Sequence, residues 1–308
     1  MLIVATSPSF STNKILQKKI YSFFPNAKLN LNKIRFQRDD LIDYIKDANG
    51  IIVGLEVIDD YVLSKCPNLK IISKYGVGLN NIDLEACKKR NIAIGWSGGV
   101  NKLSVAEMTL GYMLMLCRNL FTTSNELKNR IWNKSGGFEL SGKKIGIIGV
   151  GYIGKEVVRL LKPFNCEIYV NDIINQDEYY RKNNLIKTSK EDIFKNCDIV
   201  TIHTPYDDTT KNMVNLDVLK TMQNSSFIIN SARGGIINED NLKYALKNGI
   251  IAGAAIDAYV DEPPIDYELL ELPNLICTPH IGGNSKEAVE AMGLSAIKHL
   301  VEFFKNEI

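Results

Sequence analysis

Long apolar runs are missing from this chain of 308 residues. The most apolar stretch, Val105 to Cys117, contains Glu107 and stops at Arg118. It is shorter than the roughly 20 residues that a bilayer-spanning helix needs, so a buried interface helix is expected there. Met1 to Thr6 lacks both a basic n-region and a long apolar h-region, and reads as a short strand rather than a leader. Close cysteine pairs are missing as well. Cys66, Cys87, Cys117, Cys166, Cys197 and Cys277 are scattered without a C-x-x-C, which speaks against a zinc site, a redox motif or a disulfide framework. Buried free thiols in a reducing cytoplasm, and no metal, are expected. No charge of one sign dominates: 37 basic and 35 acidic residues give a net charge of +2 with the signs interspersed, so there is no basic face for nucleic acid. Histidine is scarce, and three residues narrow the search for a general acid.

What remains is the composition of an ordinary globular protein, 45% hydrophobic and 23% charged, long enough for two domains. Strand signals at Leu2–Ala5, Ile51–Gly54, Leu69–Ser73 and Ile92–Ile94 alternate with helical patterns at Ile15–Phe24 and from about Asp83. One long helix is expected from Asn101 to Leu120. New strand signals then appear at Ile145–Gly149, Glu167–Asn171, Asp198–His203, Phe227–Asn230, Ala252–Asp257 and Leu275–Thr278. They are short apolar runs, as in parallel sheets covered by helices on both faces. A final helix is expected over Ser285–Phe304, capped by Asn284 with Glu287 completing a capping box. The fold class is α/β, with two domains.

Lys144 to Gly154 places G-x-G-x-x-G directly after a strand and before a helix. Gly149 allows the tight turn, Gly151 lets backbone approach a pyrophosphate, and Gly154 lets helix pack on strand. The helix N-terminus then faces the phosphates. Asp172, at the end of the next strand, suits the hydroxyls of an adenosine ribose and repels a 2′-phosphate. Ile173 and Ile174 follow where an NADP site favours a cation. The expected cofactor is NAD.

Among the histidines, His299 stands beside Lys298 and is expected to be solvated, and for His203, at the end of a strand signal, a packing or loop role is expected ahead of a catalytic one. His280 follows the strand signal Leu275–Thr278, and strand ends are where open α/β sheets bind ligands. Two further strand ends carry matching chemistry. Arg233, in Asn230-Ser-Ala-Arg233-Gly-Gly235, suits bidentate capture of a carboxylate. Glu262, in Asp257-Ala-Tyr-Val-Asp-Glu262-Pro263, suits partnership with an imidazole, whose protonated form a carboxylate favours.

These segments, with Thr278–Gly283, Lys74-Tyr-Gly-Val-Gly78-Leu-Asn-Asn81-Ile-Asp83 and Asn101-Lys-Leu-Ser104-Val-Ala-Glu107, resemble the D-2-hydroxyacid dehydrogenase family in the expected order from about residue 50 to 295. The chain looks most like the 3-phosphoglycerate dehydrogenase branch in a short form. The resemblance implies two Rossmann-like domains, each a parallel sheet flanked by helices. A discontinuous, flavodoxin-like substrate domain would comprise residues 1–98 and 285–308, and an NAD-binding Rossmann domain residues 99–284. It implies His280 as acid/base, Glu262 as its partner and Arg233 as the ligand of the substrate carboxylate. It places Asp257 against the nicotinamide carboxamide, and Tyr152, Ile153, Thr204, Ser231 and Gly282 along the cofactor. Val77 and Gly78 would hold the substrate carboxylate through backbone N–H groups, in a substrate site with Lys74, Asn101 and Lys102. It also implies a homodimer built on the helix from Asn101, with Trp132 close to a neighbouring active site.

The implied activity is interconversion of a small D-2-hydroxy acid and its 2-oxo acid, of the 3-phosphoglycerate dehydrogenase kind, with a phosphorylated acid modestly favoured by the overall resemblance. A general 2-oxo acid reductase of the hydroxypyruvate or glyoxylate type is the alternative. An NAD-sensing binding protein of the corepressor kind is a rival from another class. Formate oxidation on the same fold would lead one to expect Gln in place of Glu262. The loop Gly54-Leu55-Glu56-Val57-Ile58-Asp59-Asp60 carries three carboxylates and no cation where a phosphate-binding relative has basic residues. Lys74 and Lys102 could supply replacement charge, or could be solvated surface lysines.

Overall fold

The computed structural model describes residues 1–305, which form two compact units, Met1–Asn101 with the segment from Asn284 onward, and Lys102–Gly283. In the first unit the strands are β1 (Ile3–Ala5), β2 (Lys28–Leu29), β3 (Gly50–Val53), β4 (Ile71–Lys74) and β5 (Ala93–Gly95). They pair in parallel in the order β2-β1-β3-β4-β5, the doubly wound order of a flavodoxin-like sheet. The helices between them are α1 (Pro8–Thr12), α2 (Lys14–Phe23), α3 (Arg38–Ile45), α4 (Asp60–Ser64) and α5 (Leu84–Lys89).

The two-residue period of a strand sends alternate side chains to opposite faces. Ile3, Ala5, Ile52 and Ile71 pack on one side of this sheet, and Val4, Ile51, Val53 and Ile72 on the other. Phe10, Leu16 and Ile20 cover the first face together with Met292, Ala296, Ile297 and Leu300 from the chain's last helix, Lys286–Phe303. Leu41, Ile45, Val62, Leu63 and Ala86 from α3 to α5 cover the second. Each fully buried aliphatic side chain contributes about 1.5–3 kcal/mol, so both helix layers are needed to hold this sheet. The apolar pair Leu16 and Ile20, four apart, fixes which face of α2 turns inward, and Asn13 caps that helix by accepting from the backbone of Ile15 (3.0 Å) and Leu16 (3.1 Å).

The second unit opens with α6 (Lys102–Cys117) and α7 (Leu120–Lys128). Its sheet contains β6 (Lys144–Ile148), β7 (Glu167–Asn171), β8 (Ile186–Lys187), β9 (Ile199–Ile202), β10 (Phe227–Asn230), β11 (Gly253–Ile256) and β12 (Leu275–Cys277). All neighbours are parallel, in the order β12-β11-β10-β9-β6-β7-β8. The order reverses between β6 and β9, and a crevice opens beyond the strand ends at such a switch point. The helices are α8 (Tyr152–Leu161), α9 (Asp177–Lys182), α10 (Lys190–Asn196), α11 (Leu216–Thr221), α12 (Glu239–Lys247) and α13 (Tyr267–Leu270), and the last helix of the chain is α14. Ile145, Ile147, Ile229 and Ala255 face the layer of α6 and α8, while Ile148, Val200, Ile228 and Ala254 face α10 to α12. The strands are therefore covered on both faces, as their apolar runs require.

Three local expectations are corrected. The helix expected from Asn101 to Leu120 ends at Cys117, and Asn119 adopts the left-handed conformation (φ 53°) before α7 starts. The Cys117 carbonyl accepts from Phe138 N (2.8 Å) instead of continuing the helical ladder. The cap of α14 is Ser285, not Asn284: its Oγ accepts from Ala288 N at 3.1 Å, and this start puts Glu287 one position too early for a capping box. His299 is half-buried rather than solvated, with Nε2 2.9 Å from Ser97 Oγ.

Candidate active site

The glycine-rich turn joins β6 to α8. Gly149 has φ +92°, and a β-carbon there would lie 2.7 Å from the backbone of His203, so both conformation and space demand glycine. At Gly154 a β-carbon would lie 2.2 Å from the Gly149 carbonyl oxygen, which is the close packing of helix on turn. Gly151 is the N-cap of α8, with open space beside it. The Asp172 carboxylate braces the turn, accepting from Val150 N (2.6 Å) and Ile174 N (2.8 Å). Tyr152 is exposed and Ile153 half-buried, and Ile173 is almost wholly exposed beside Asp172.

At the end of β9, Thr204 Oγ1 is buried without a hydrogen-bond partner among the described residues. Ser231, after β10, is buried with its Oγ 3.1 Å from Thr109 Oγ1. An orphaned hydroxyl, an open glycine and a ten-residue helix pointing its N-terminus at the turn fit a dinucleotide: the α8 N–H groups and Gly151 would take the pyrophosphate, Asp172 the ribose, and Thr204 a polar group of the cofactor.

The ends of β10, β11 and β12 bring the ionic groups together. Arg233 follows β10, half-buried, with Nη1 donating to the Ala232 carbonyl (2.7 Å) while Asn230 Nδ2 donates to the Arg233 carbonyl (2.8 Å). Burial pulls its guanidinium below the ordinary value, and the charge of Glu262 opposes that pull. Glu262, beyond β11, accepts from Tyr259 N at 3.1 Å, and its two oxygens lie 2.8 and 2.9 Å from His280 Nδ1. An ionised carboxylate only accepts, so Nδ1 carries the hydrogen that faces Glu262. His280, after β12, has φ +52°. Asp257 is 1% exposed, and its carboxylate accepts from Thr278 Oγ1 (2.5 Å), Ile281 N (2.9 Å) and Gly282 N (2.7 Å).

His203 is the contrasting case. Its Nδ1 is buried without a partner among the described residues, its Nε2 is 3.0 Å from Thr201 Oγ1, and burial pushes its pKa down to about 3, so it stays neutral in place. In the second unit Lys102 pairs with Glu156 at 3.4 Å.

In the first unit Lys74 ends β4 and is buried, not solvated. Its Nζ donates to the Gly54 carbonyl (2.5 Å) and Asn81 Oδ1 (2.6 Å). Asn81 Nδ2 in turn donates to the Glu56 carbonyl (2.6 Å), and Glu56 Oε2 accepts from Gly54 N (2.9 Å). Val77 and Gly78 are half-buried, with the Val77 carbonyl accepting from Trp96 Nε1 (2.9 Å). Asn101 is buried, and its Oδ1 has no partner among the described residues. The acidic loop is not without counter-charge: Asp59 pairs with Arg38, and Asp60 with Arg90 at 2.8 Å. Among the described residues no group of three or more His, Cys, Asp or Glu is placed to hold a metal, and the cysteines are free, four buried and two half-buried.

Sequence reasoning missed Tyr112 and Thr278, whose hydroxyls meet beside Asp257, and Asn81, which locks Lys74. Thr278 lies inside the same short motif as His280; Tyr112 gives no signal in the most apolar stretch of the chain.

Residues 110–282 match the model of the D-isomer specific 2-hydroxyacid dehydrogenase NAD binding domain. The chain is 35% identical over 281 residues to the D-3-phosphoglycerate dehydrogenase of Methanocaldococcus jannaschii, covering 88% of this chain and 52% of that protein. It is 32% identical over 281 residues to the glyoxylate reductase of Pyrococcus horikoshii, covering 88% of this chain and 84% of that one. Among solved structures, the NAD-dependent formate dehydrogenase from Staphylococcus aureus in complex with NAD matches with a TM-score of 0.84 and 30% identity, covering 100% of this chain and 97% of that one. The chain spans about half the length of the first phosphoglycerate dehydrogenases it matches.

Proposed function

The chain belongs to the D-isomer specific 2-hydroxyacid dehydrogenase family, and we propose that it interconverts a small D-2-hydroxy acid and its 2-oxo acid, using NAD. The observation that carries this reading is the placement of Arg233, Glu262 and His280 beyond three successive strands, with Glu262 on His280 Nδ1. Bound NADH supplies the hydride. Arg233 grips the carboxylate of the 2-oxo acid and polarises its carbonyl, and His280 Nε2 delivers a proton to the developing alkoxide. In the opposite direction the neutral Nε2 takes the hydroxyl proton. Glu262 holds the ring in one tautomer and stabilises its charged form. Asp257 and Gly282 would hold the nicotinamide end of the cofactor, and Tyr152, Ile153 and Ser231 would line the rest of it. In the first unit Val77, Gly78 and Asn101 serve the substrate. Formate oxidation is disfavoured by Glu262.

His280→Asn should leave NADH binding largely intact and lower turnover by roughly 10²–10⁴, the weight of a positioned acid/base. Near-normal turnover in that variant would sink the assignment. Glu262→Gln should cost less and move the pH–rate profile.

A second reading of the substrate rests on Lys74 and Lys102. Overall resemblance points to a phosphorylated acid. Yet Lys74 is committed to Gly54 and Asn81, Lys102 pairs with Glu156, and Glu56 adds a carboxylate to the same loop. These features favour an unphosphorylated 2-oxo acid of the hydroxypyruvate or glyoxylate type. Comparing kcat/KM for phosphorylated and unphosphorylated hydroxypyruvate decides between them, a large preference for the phosphorylated form restoring the first.

The reading extends to a homodimer in the cytoplasm. A groove of about 810 Å³ beside α6 and α7 is lined by Met115, Leu120, Phe121, Leu127, Ile131 and Trp132, with Trp132 78% exposed, and a second copy of the chain suits it. Free cysteines suit a reducing compartment. No helix among the described residues is long and apolar enough to cross a membrane.

A further inference from the structure

The loop that carries His280 is held by more than its strand. His280 occupies the left-handed region, which an L-residue with a β-carbon adopts only when its surroundings impose it. Asp257 imposes part of it by accepting from Thr278 Oγ1, Ile281 N and Gly282 N, on both sides of His280. The direction of these bonds fixes the next one. A carboxylate only accepts, so Thr278 gives its single hydroxyl proton to Asp257, and Tyr112 Oη, which meets Thr278 Oγ1, must donate. Burial pushes the Tyr112 phenol up, keeping it a donor. The Thr278 carbonyl accepts from His280 N and Tyr259 Oη, both at 3.0 Å. Beyond His280, Ser104 Oγ donates to the Gly282 carbonyl at 2.6 Å. Ser104 and Tyr112 both belong to α6, just over two turns apart, so one helix grips the loop on either side of the imidazole.

We propose that Tyr112, Thr278 and Ser104 are positioning residues, a hydroxyl relay from α6 that holds the His280 ring with Nδ1 against Glu262. The proposal rests on His280 being the proton donor of the reaction. Thr278→Val keeps the shape of the side chain but leaves Tyr112 Oη with only the weak acceptor Met108 Sδ at 3.5 Å and Asp257 without one donor, and both residues are buried. The loop then relaxes, and the imidazole loses its fixed orientation. The same helix carries Met115 at the groove assigned above to a second copy, so helix position, assembly and the acid share one element.

The test uses the full chain with Thr278→Val, Thr278→Ser, Tyr112→Phe and Ser104→Ala. It reads kcat, the NADH dissociation constant, and the ring ¹⁵N resonances of the histidines, which report tautomer whether or not the protein turns over. Thr278→Val should lower kcat roughly 10- to 100-fold while NADH affinity changes by less than about threefold, since a misplacement near 1 Å costs that much in rate. Its His280 ring should lose the single Nδ1–H tautomer. Thr278→Ser should restore rate and tautomer, and Tyr112→Phe and Ser104→Ala should show smaller losses of the same kind. Unchanged kcat and unchanged ¹⁵N spectra in Thr278→Val would overturn the relay. So would a loss of NADH affinity matching the loss of kcat, which would put the hydroxyl on the cofactor. Should Thr278→Val not fold, Tyr112→Phe carries the test with the same two readouts. Absence of turnover in the unmodified chain would remove the enzymatic reading, and the spectra alone would then decide the relay.

Discussion

Gly234 follows Arg233, and a β-carbon there would stand 1.9 Å from the Tyr259 carbonyl oxygen and 2.0 Å from its carbon. Comfortable contacts of this kind lie near 3.5 Å, so the shortfall exceeds about 1 Å. The opposing atoms are backbone on both sides, and no side chain can swing away to absorb it. In Gly234→Ala the two loops must separate, one carrying Arg233 and the other Glu262. A displacement of about 1 Å in a positioned group costs on the order of 10²-fold, equivalent to about 2.7 kcal/mol of transition-state stabilisation. We therefore expect kcat/KM for a 2-oxo acid to fall roughly 10²-fold. NADH affinity should move far less, because the turn from Gly149 to Gly154 hangs on a different strand. Steady-state kinetics with NADH, beside fluorescence titration of NADH binding, measures both. A kcat/KM within about threefold of the unmodified protein would refute the reasoning, because the loops would then tolerate a gap the chemistry was argued to forbid.

Asp172→Ser combined with Ile173→Arg should shift preference toward NADP, read as the ratio of kcat/KM for the two cofactors; equal use of both by the unmodified chain would contradict the role of Asp172. His203 should make the fold sensitive to acid. Its folded pKa of about 3 lies below the ordinary 6.5, so from about pH 6.5 downward the unfolded chain takes up a proton that the folded one refuses. Stability falls over that window by at most about 1.4 kcal/mol per pH unit from this group, and His203→Gln should flatten the urea-unfolding dependence between pH 6 and 4. Equal slopes in the two proteins would exclude the effect. Light scattering at micromolar concentration should give a dimer mass, and Trp132→Ala should weaken the dimer. A monomer mass for the unmodified chain would rule out the assigned occupant of the groove.

Period and punctuation make the sheets legible. Apolar runs such as Ile145–Ile148 and Phe227–Ile229 can be satisfied only between two helix layers, and both sheets have them. The glycine turn is legible for a similar reason, since Gly149 and Gly154 answer separate steric demands and Gly151 stands in open space at the helix N-terminus. Glu262 and His280 are separated by 18 positions, and strand-end logic sets them in one place; they stand 2.8 Å apart. Contacts set by tertiary packing stay hidden. Nothing near Asp59 or Asp60 announces Arg38 or Arg90, and nothing in Lys74-Tyr-Gly-Val-Gly78 says that the lysine turns into the protein. The end of α6 is hidden too, because Arg118-Asn119 has no breaker; the Cys117 carbonyl is drawn away by Phe138, which lies beyond α7.

The most direct test of the central claim is NADH consumption by the unmodified chain across a panel of 2-oxo acids, followed at the NADH absorbance band. The account predicts turnover with at least one small member such as hydroxypyruvate or glyoxylate, reduced roughly 10²–10⁴-fold in His280→Asn while NADH still binds. NADH binding with no consumption of the cofactor by any member of the panel would contradict it and leave a protein that senses NAD.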